Sequence, residues 1–321
     1  SVTEPGRPPA RRLLQGPAQP RPDGSVVVPL RAPDRPAGAL VLTPPEPVAA
    51  TEWPPDVDLL TALGQQAGVA LARAAMQDRS ASVAHELQHA LLTTDVPDDD
   101  RFGVTTIYRP GVQALEVGGD WYDVFLVRDG VLAVAVGDVV GRGLHAAAAM
   151  GQLRSAVRAV ADEDGPVGVL ARLDRFVERT GVGFMATLAY AELDLATGLV
   201  RYACAGHMPP LLLGEETTLL WEGRSLPLGV RGARTGREQG VVQLTGGDRL
   251  VLYTDGLVER RDQPLDEALA ALVEAAGSLG GAPVNRLVSD APAHPVGEHD
   301  DVCLLALTWF GPEVPGRADE A

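Results

Sequence analysis

Four aspartates in this chain stand where an aspartate is costly: at the ends of apolar, strand-like runs. Asp120 sits in EVGGDWYD, Asp138 in AVGDVVGRG, Asp255 in LYTDGLVE, and Asp300, with Asp301, in GEHDDVCLL. A carboxylate in such a place is unfavourable unless it is paired or bound to a metal ion. Glycine beside it leaves room for a ligand or ion to approach the backbone. One Asp-Gly by itself is most often a turn and nothing more. Four strand-end acids distant in sequence are harder to dismiss. Carboxylate oxygens without Cys or His partners suit Mg²⁺ or Mn²⁺ rather than zinc.

The pattern around these acids sets the fold class. From Thr105 the apolar period is two, through VTTIYRP, WYDVFLV and VLAVAVGDVV, the last two joined at Arg128-Asp129-Gly130, a hairpin signal. Helical runs follow at 144–161 and 167–179. Strands resume in FMATLAYAELDL and LVRYACAG, then RLVLYTDG, a helix from Leu265, and a last strand VCLLALTWF. Hairpin strands with helices grouped between them predict an α+β fold of two packed sheets flanked by helices.

The N-terminal part reads differently. Residues 1–23 are loop-like, and GSVVVPL and GALVLTP are short strands separated by breakers. A proline-rich loop leads to a helix over 56–92, in which Leu60, Leu63, Ala67, Ala70, Leu71 and Ala74 form one apolar stripe. Gly64, Ala67 and Gly68 would admit a closely packed helix. The stripe fits a helix packed on its own domain and a parallel dimer seam equally well. A homodimer through 56–92 is the expectation carried forward.

Composition excludes some partners. The net charge is −16 and every basic residue apart from histidine is arginine, with no basic cluster, which argues against nucleic acid and against an anionic membrane surface. No run approaches a membrane span of about 18 apolar residues, and the Pro- and Arg-rich N-terminus has no apolar segment of a secretory signal. Cys204 and Cys303 are too few for a disulfide framework and read as small buried hydrophobes in a reducing, cytoplasmic setting.

The ordered motifs EVGGDWYD, GDVVGRGLHAAAAMGQLR, RYACAGHMPPLLL, SLPLGV, LVLYTDGLVERRD and HDDVCLLAL closely resemble bacterial metal-dependent protein phosphatases of the PPM class, SpoIIE/RsbU-like branch. The likeness runs from about Glu86 to Phe310. It implies an αββα sandwich with two divalent cations, Mn²⁺ or Mg²⁺, at one end. Carried over residue by residue, Asp138 would bridge both ions and the carbonyl of Val139 would join it on one. Asp255 and Asp300 would hold the other, and Asp120 would complete the set. The implied catalytic residues are Asp138, Asp120 and Asp255. Ions about 3.5–4 Å apart would generate a hydroxide that attacks phosphorus in line. The implied substrate is phosphoserine or phosphothreonine on an anti-sigma-factor antagonist. Cys303 stands where the family often has Thr, and should face the core. The family carries His207 as a structural turn residue. Arg142 is either a steering group or a solvated surface residue, and His145 lies near enough to the expected ions for proton transfer to be considered. Arg260 and Arg261 flank the metal motifs and could add positive potential.

The HELQH stretch at 85–89 matches the zinc-protease pattern H-E-x-x-H. The resemblance places ELQHALL on the helix entering the phosphatase domain, which accounts for Leu87, Gln88, Leu91 and Leu92 without zinc. No third ligand follows: ALLTTDVPDDD lacks the downstream histidine, and Glu116 lies in a turn. His85 and His89 therefore read as the polar side of a linker helix.

Residues 24–80 resemble, more weakly, the last strands and closing helix of a GAF sensor domain. The organisation expected is a partial or divergent GAF-like segment at 1–55, a signalling helix at 56–92, a phosphatase domain at 93–311 and a tail at 312–321. Two other functions remain: a catalytically silent phosphatase fold that docks a partner, and a small-molecule phosphatase. The intact aspartate set favours an enzyme.

Overall fold

The computed structural model of the chain describes residues 16–32, 36–43, 56–92, 95–111, 118–230, 236–259, 263–289 and 301–312; for 77, 78 and 80–92 it describes the helical backbone alone. Two compact units divide it, residues 1–82 and 83–321.

In the first unit, β1 (Gln19–Pro20), β2 (Val26–Arg31) and β3 (Pro36–Leu42) form an antiparallel sheet in that order. The helix α1 (Val57–Leu92) starts from Asp56, whose Oδ1 accepts the N–H groups of Asp58 at 2.9 Å and Leu59 at 3.2 Å, a side-chain cap on otherwise unpaired donors. Val57 and Leu60 pack on Ala18, Val26 and Val28. A Cβ on Gly64 would lie 2.6 Å from the Pro29 carbonyl oxygen, and one on Gly68 would lie 2.2 Å from the Arg31 nitrogen. The glycines expected to admit a partner helix thus admit the chain's own sheet. Leu59, Leu63 and Leu71 remain 57%, 54% and 48% exposed on this helix.

The second unit is a sandwich. One sheet has the order β10 (Thr217–Leu219), β9 (Leu211–Leu213), β13 (Arg249–Tyr253), β14 (Val302–Trp309), β4 (Phe102–Arg109). The other runs β11 (Arg224–Ser225), β8 (Leu199–Ala205), β7 (Thr187–Asp194), β6 (Val131–Asp138), β5 (Trp121–Arg128), with β12 (Gly240–Gln243) also paired to β8. The period of two sends alternate residues to opposite faces. Leu132, Val134 and Val136 of β6 meet Leu250 and Leu252 of β13 and Cys303, Leu305 and Leu307 of β14 between the sheets. On the outer face of β6, Ala133 and Ala135 are small, so α2 (Leu144–Val160) and α3 (Gly165–Thr180) settle on them through Met150, Leu153, Leu170 and Leu173. The other sheet turns Val251, Leu304 and Ala306 outward against α4 (Leu265–Gly277) and α5 (Asn285–Ser289). The layers are helix, sheet, sheet, helix, as the resemblance implied.

One buried ion cluster ties α2 to β5. Asp123 is fully buried, and Arg158 reaches it with Nε at 2.6 Å and Nη2 at 2.7 Å, while Arg154 adds a contact at 3.2 Å. Two guanidiniums around one carboxylate satisfy a charge that would otherwise oppose folding.

Candidate metal centre

Each acidic motif enters from a different strand end. Asp120 precedes β5, Asp138 ends β6, Asp255 opens a 3₁₀ turn (Asp255–Leu257) just after β13, and Asp301 precedes β14. Since β5 and β6 lie in one sheet and β13 and β14 in the other, the centre spans the mouth of the sandwich. Asp300 lies outside the described residues, and Asp301 is the member of that pair whose place is described.

The glycine pair before Asp120 allows the convergence. A Cβ on Gly118 would stand 1.3 Å from Oδ2 of Asp301 and 2.9 Å from the Tyr108 hydroxyl. A Cβ on Gly119 would stand 2.1 Å from the Val139 carbonyl oxygen and 2.8 Å from Oδ1 of Asp138. A side chain at either position would displace these groups. The Val139 N–H donates to the Gly119 carbonyl at 3.2 Å, which fixes the two loops against each other.

Asp120 lies at the middle, 4% exposed, and its Oδ2 has no hydrogen-bond partner among the described residues. Burial holds its carboxyl well above the usual carboxylate range, and the charge of Asp138 adds to this; the Thr254 hydroxyl acts against both by hydrogen bonding to it, while Asp301 and Asp255 raise it further. Asp301 Oδ1 accepts the Gly111 N–H at 2.7 Å. Burial, then the charges of Asp301 and Asp120, push the neighbouring Tyr108 phenol well up, and its hydroxyl is bonded to Asp301. Thr254 is fully buried; its hydroxyl accepts the Cys303 N–H at 2.9 Å and its own N–H donates to the Cys303 carbonyl at 3.0 Å. Cys303 is completely buried in the inter-sheet core, as expected of that position.

The residues fit a hard divalent cation. Among the described residues the donors are oxygens, they repel one another, and one buried oxygen is left without a partner, a distribution that a bound cation neutralises. Among the described residues, no three of His, Cys, Asp and Glu are gathered into a ready cage. The arrangement is an acidic mouth rather than a closed structural site, and among its described residues the nitrogen and sulfur donors typical of zinc are lacking.

Arg142 and His145 are exposed and line, with Val139, Val140 and Phe184, a cavity of 260 Å³. His207 is 6% exposed, and burial pushes its imidazole down to about 4, so it is neutral at physiological pH. The side chains of His85 and His89, and all of Arg260 and Arg261, lie outside the described residues. Tyr108, Thr254 and Asp123 were not singled out in the sequence. The Arg154 and Arg158 pair, four residues apart on one helix face, was the available sign of a buried acid opposite.

Residues 128–310 match the family described as Stage II sporulation protein E (SpoIIE). The chain belongs to the SpoIIE family. A curated relative, the phosphoserine phosphatase RsbU of Bacillus subtilis (strain 168), is 29% identical over 186 residues, 56% of this chain and 54% of that protein. The structure of the RsbU and RsbW domains of Rv1364c from Mycobacterium tuberculosis superposes with a TM-score of 0.61 at 34% identity, over 70% of this chain and 64% of that one. The PP2C phosphatase domain of SpoIIE from Bacillus subtilis, with a fragment of its regulatory domain, gives a TM-score of 0.54 at 18% identity, over 67% of this chain and 63% of that one; this likeness is one of fold. The SpoIIE/RsbU-like resemblance and the αββα sandwich are therefore borne out. The chain spans about half the length of two curated relatives it matches, 54% of RsbU and 45% of the B. subtilis phosphoserine phosphatase RsbP.

Proposed function

We propose that this SpoIIE-family domain hydrolyses phosphoserine or phosphothreonine on a protein, using two divalent cations, Mn²⁺ or Mg²⁺. Asp120, Asp138, the Val139 carbonyl, Asp255 and Asp300 would hold them. The observation that carries this reading is the convergence of strand-end motifs from both sheets on Asp120, whose buried Oδ2 is unpartnered. When bound, such cations supply a water-derived nucleophile near neutral pH and offset phosphate charge.

The chain's own residues prepare that site. The Val139 N–H donates to the Gly119 carbonyl and so holds the residue whose own carbonyl borders the cluster. Thr254 joins the Asp255 turn to β14 and bonds to Asp120, so three motifs share one hydroxyl. Tyr108 and Gly111 hold the Asp301 carboxylate in place behind Asp120. Arg142, exposed on the cavity that Val139 also lines, would meet an incoming phosphate.

Two features favour a protein substrate. RsbU and RsbP are named phosphoserine phosphatases. The cavity that Val139 lines also carries exposed apolar groups, with Val140 at 65% and Phe184 at 57%, which a polypeptide surface would cover. An anti-sigma-factor antagonist is the substrate class proposed. Such a partner is often acidic, and the chain's charge of −16 opposes its approach; the cations would offset part of this, and Arg142, Arg260 and Arg261, which flank the metal motifs in sequence, could supply local positive potential. We further propose the organisation 1–55 GAF-like sensor segment, 56–92 signalling helix and dimer seam, 93–311 phosphatase domain and 312–321 tail, in a cytoplasmic protein. Among the described residues no helix is long and apolar enough to cross a membrane.

The test is phosphate release from a phosphorylated antagonist of the same organism, beside small phosphate esters, with Mn²⁺ and with chelator. Release from the protein substrate, lost in chelator, supports the proposal. Release from small esters alone supports a small-molecule phosphatase, and binding without release supports a silent docking module. Charge reversal at Arg260 and Arg261 should slow the protein substrate and spare p-nitrophenyl phosphate.

A further inference from the structure

We propose that His207 is a positioning residue of the metal centre: a neutral bracket between the two sheets that fixes the Asp138 strand end relative to the Asp255 turn. The inference rests on those two residues being cation ligands, and concerns what holds them in register.

His207 follows β8 and is buried. Its Nδ1 lies 2.7 Å from the Thr187 hydroxyl oxygen, and its Nε2 lies 3.1 Å from the Tyr253 carbonyl oxygen. A carbonyl can only accept, so Nε2 carries the proton and donates it; Nδ1 then accepts the Thr187 hydroxyl. Both ring nitrogens are used, which leaves neither for proton transfer to substrate. Thr187 is the first residue of β7 and the register partner of Asp138. Tyr253 is the last residue of β13, two before Asp255. These strands belong to opposite sheets.

Between the sheets, packing is apolar and has little directional preference. Two hydrogen bonds through one rigid ring do have direction, and they act at the end of the sandwich where the acidic motifs meet. Mg²⁺ in particular demands near-ideal ligand geometry. A slip between the sheets would spread the donors without unfolding the core. The neutral imidazole keeps both bonds at the pH where the centre would work, because burial disfavours its charged form.

The test uses Thr187→Val, His207→Phe, His207→Gln and the Thr187→Val/His207→Phe double variant in the full chain. Mn²⁺ dissociation constants come from calorimetric titration, and thermal midpoints are taken in chelator. Residues that orient metal ligands from behind commonly change affinity by about 10- to 100-fold. His207→Phe and Thr187→Val should each weaken Mn²⁺ at least about tenfold. Gln, which keeps a donor and an acceptor, should recover most of that, and the double variant should be no worse than His207→Phe. Wild-type Mn²⁺ affinity in folded His207→Phe, even with a lowered midpoint, would overturn the proposal and leave His207 a structural residue. Should His207→Phe not fold, Thr187→Val decides: unchanged affinity there overturns the proposal. A wild-type chain that binds no Mn²⁺ would instead overturn the metal centre, and the bracket with it.

Discussion

Replacing Asp120 with Asn should stabilise the metal-free protein while abolishing its activity. The carboxylate is 4% exposed, one of its oxygens has no partner, and Asp138, Asp301 and Asp255 all raise its pKa. Leaving a buried polar group unsatisfied costs about 1–3 kcal/mol, and more for a charge. Asn keeps the shape, can accept the Thr254 hydroxyl, and presents an NH₂ to the surrounding acids. The expected gain is about 1–2 kcal/mol at pH 8, or roughly 2–8 °C in thermal midpoint for a unit of this size. The pH dependence follows from the direction of the shift. A carboxyl raised in the folded state contributes stability when protonated, below its unfolded value of 3.8, and loses that contribution as pH rises through the folded value. Asn does not titrate, so its advantage should be near zero at pH 4 and grow toward pH 8. Saturating Mn²⁺ should reverse the order, since a ligand at 100 times its Kd adds about 2.7 kcal/mol to the wild type alone. Thermal unfolding followed by circular dichroism, in chelator and in Mn²⁺ across this pH range, measures all of this. An Asn variant less stable than wild type at pH 8 in chelator, or a difference independent of pH, would refute the reasoning.

Other outcomes follow from the same geometry. Gly118→Ala places a methyl 1.3 Å from the present position of Asp301 Oδ2; it should weaken Mn²⁺ about tenfold and cost about 1–3 kcal/mol, read by titration and thermal unfolding. His85→Ala with His89→Ala should leave metal content and hydrolysis unchanged, and stoichiometric zinc by elemental analysis, lost in that double variant, would restore the zinc reading. The wild-type chain should scatter light as a dimer, and Ala67→Arg, which would put an unpaired charge in the seam beside Leu63 and Leu71, should make it monomeric; a monomeric wild type removes the seam.

The long strands and α2 were legible because each has a face that must be apolar. β6 and β14 are buried on both faces, which the runs VLAVAVG and VCLLALTW announce. The pieces β9 to β12 and α5 escaped because they are two to five residues long, too short to show a period. On α1, spacing alone could not say which surface Gly64 and Gly68 would meet; the Pro29 and Arg31 backbones that meet them are far off in sequence. The acids of the centre were visible as charges at apolar strand ends. Their setting was less so: the glycines before Asp120 read as space for an ion, yet they make space for Asp301, Asp138 and the Val139 carbonyl. Thr254 and the two partners of His207 gain their importance only when the sheets are stacked. Asp123 meets its arginines 31 and 35 residues later, a separation no local pattern reveals.

We propose above that a carboxylate centre with divalent cations cleaves phosphate esters. Its most direct test is phosphate release from a phosphoserine protein as Mn²⁺ is titrated into chelator-treated wild type, Asp138→Asn and Asp255→Asn. No release is expected before Mn²⁺, saturable release in the wild type as it is added, and little in either variant although both stay folded. Release that is indifferent to chelator, or wild-type rates in either variant, would contradict it.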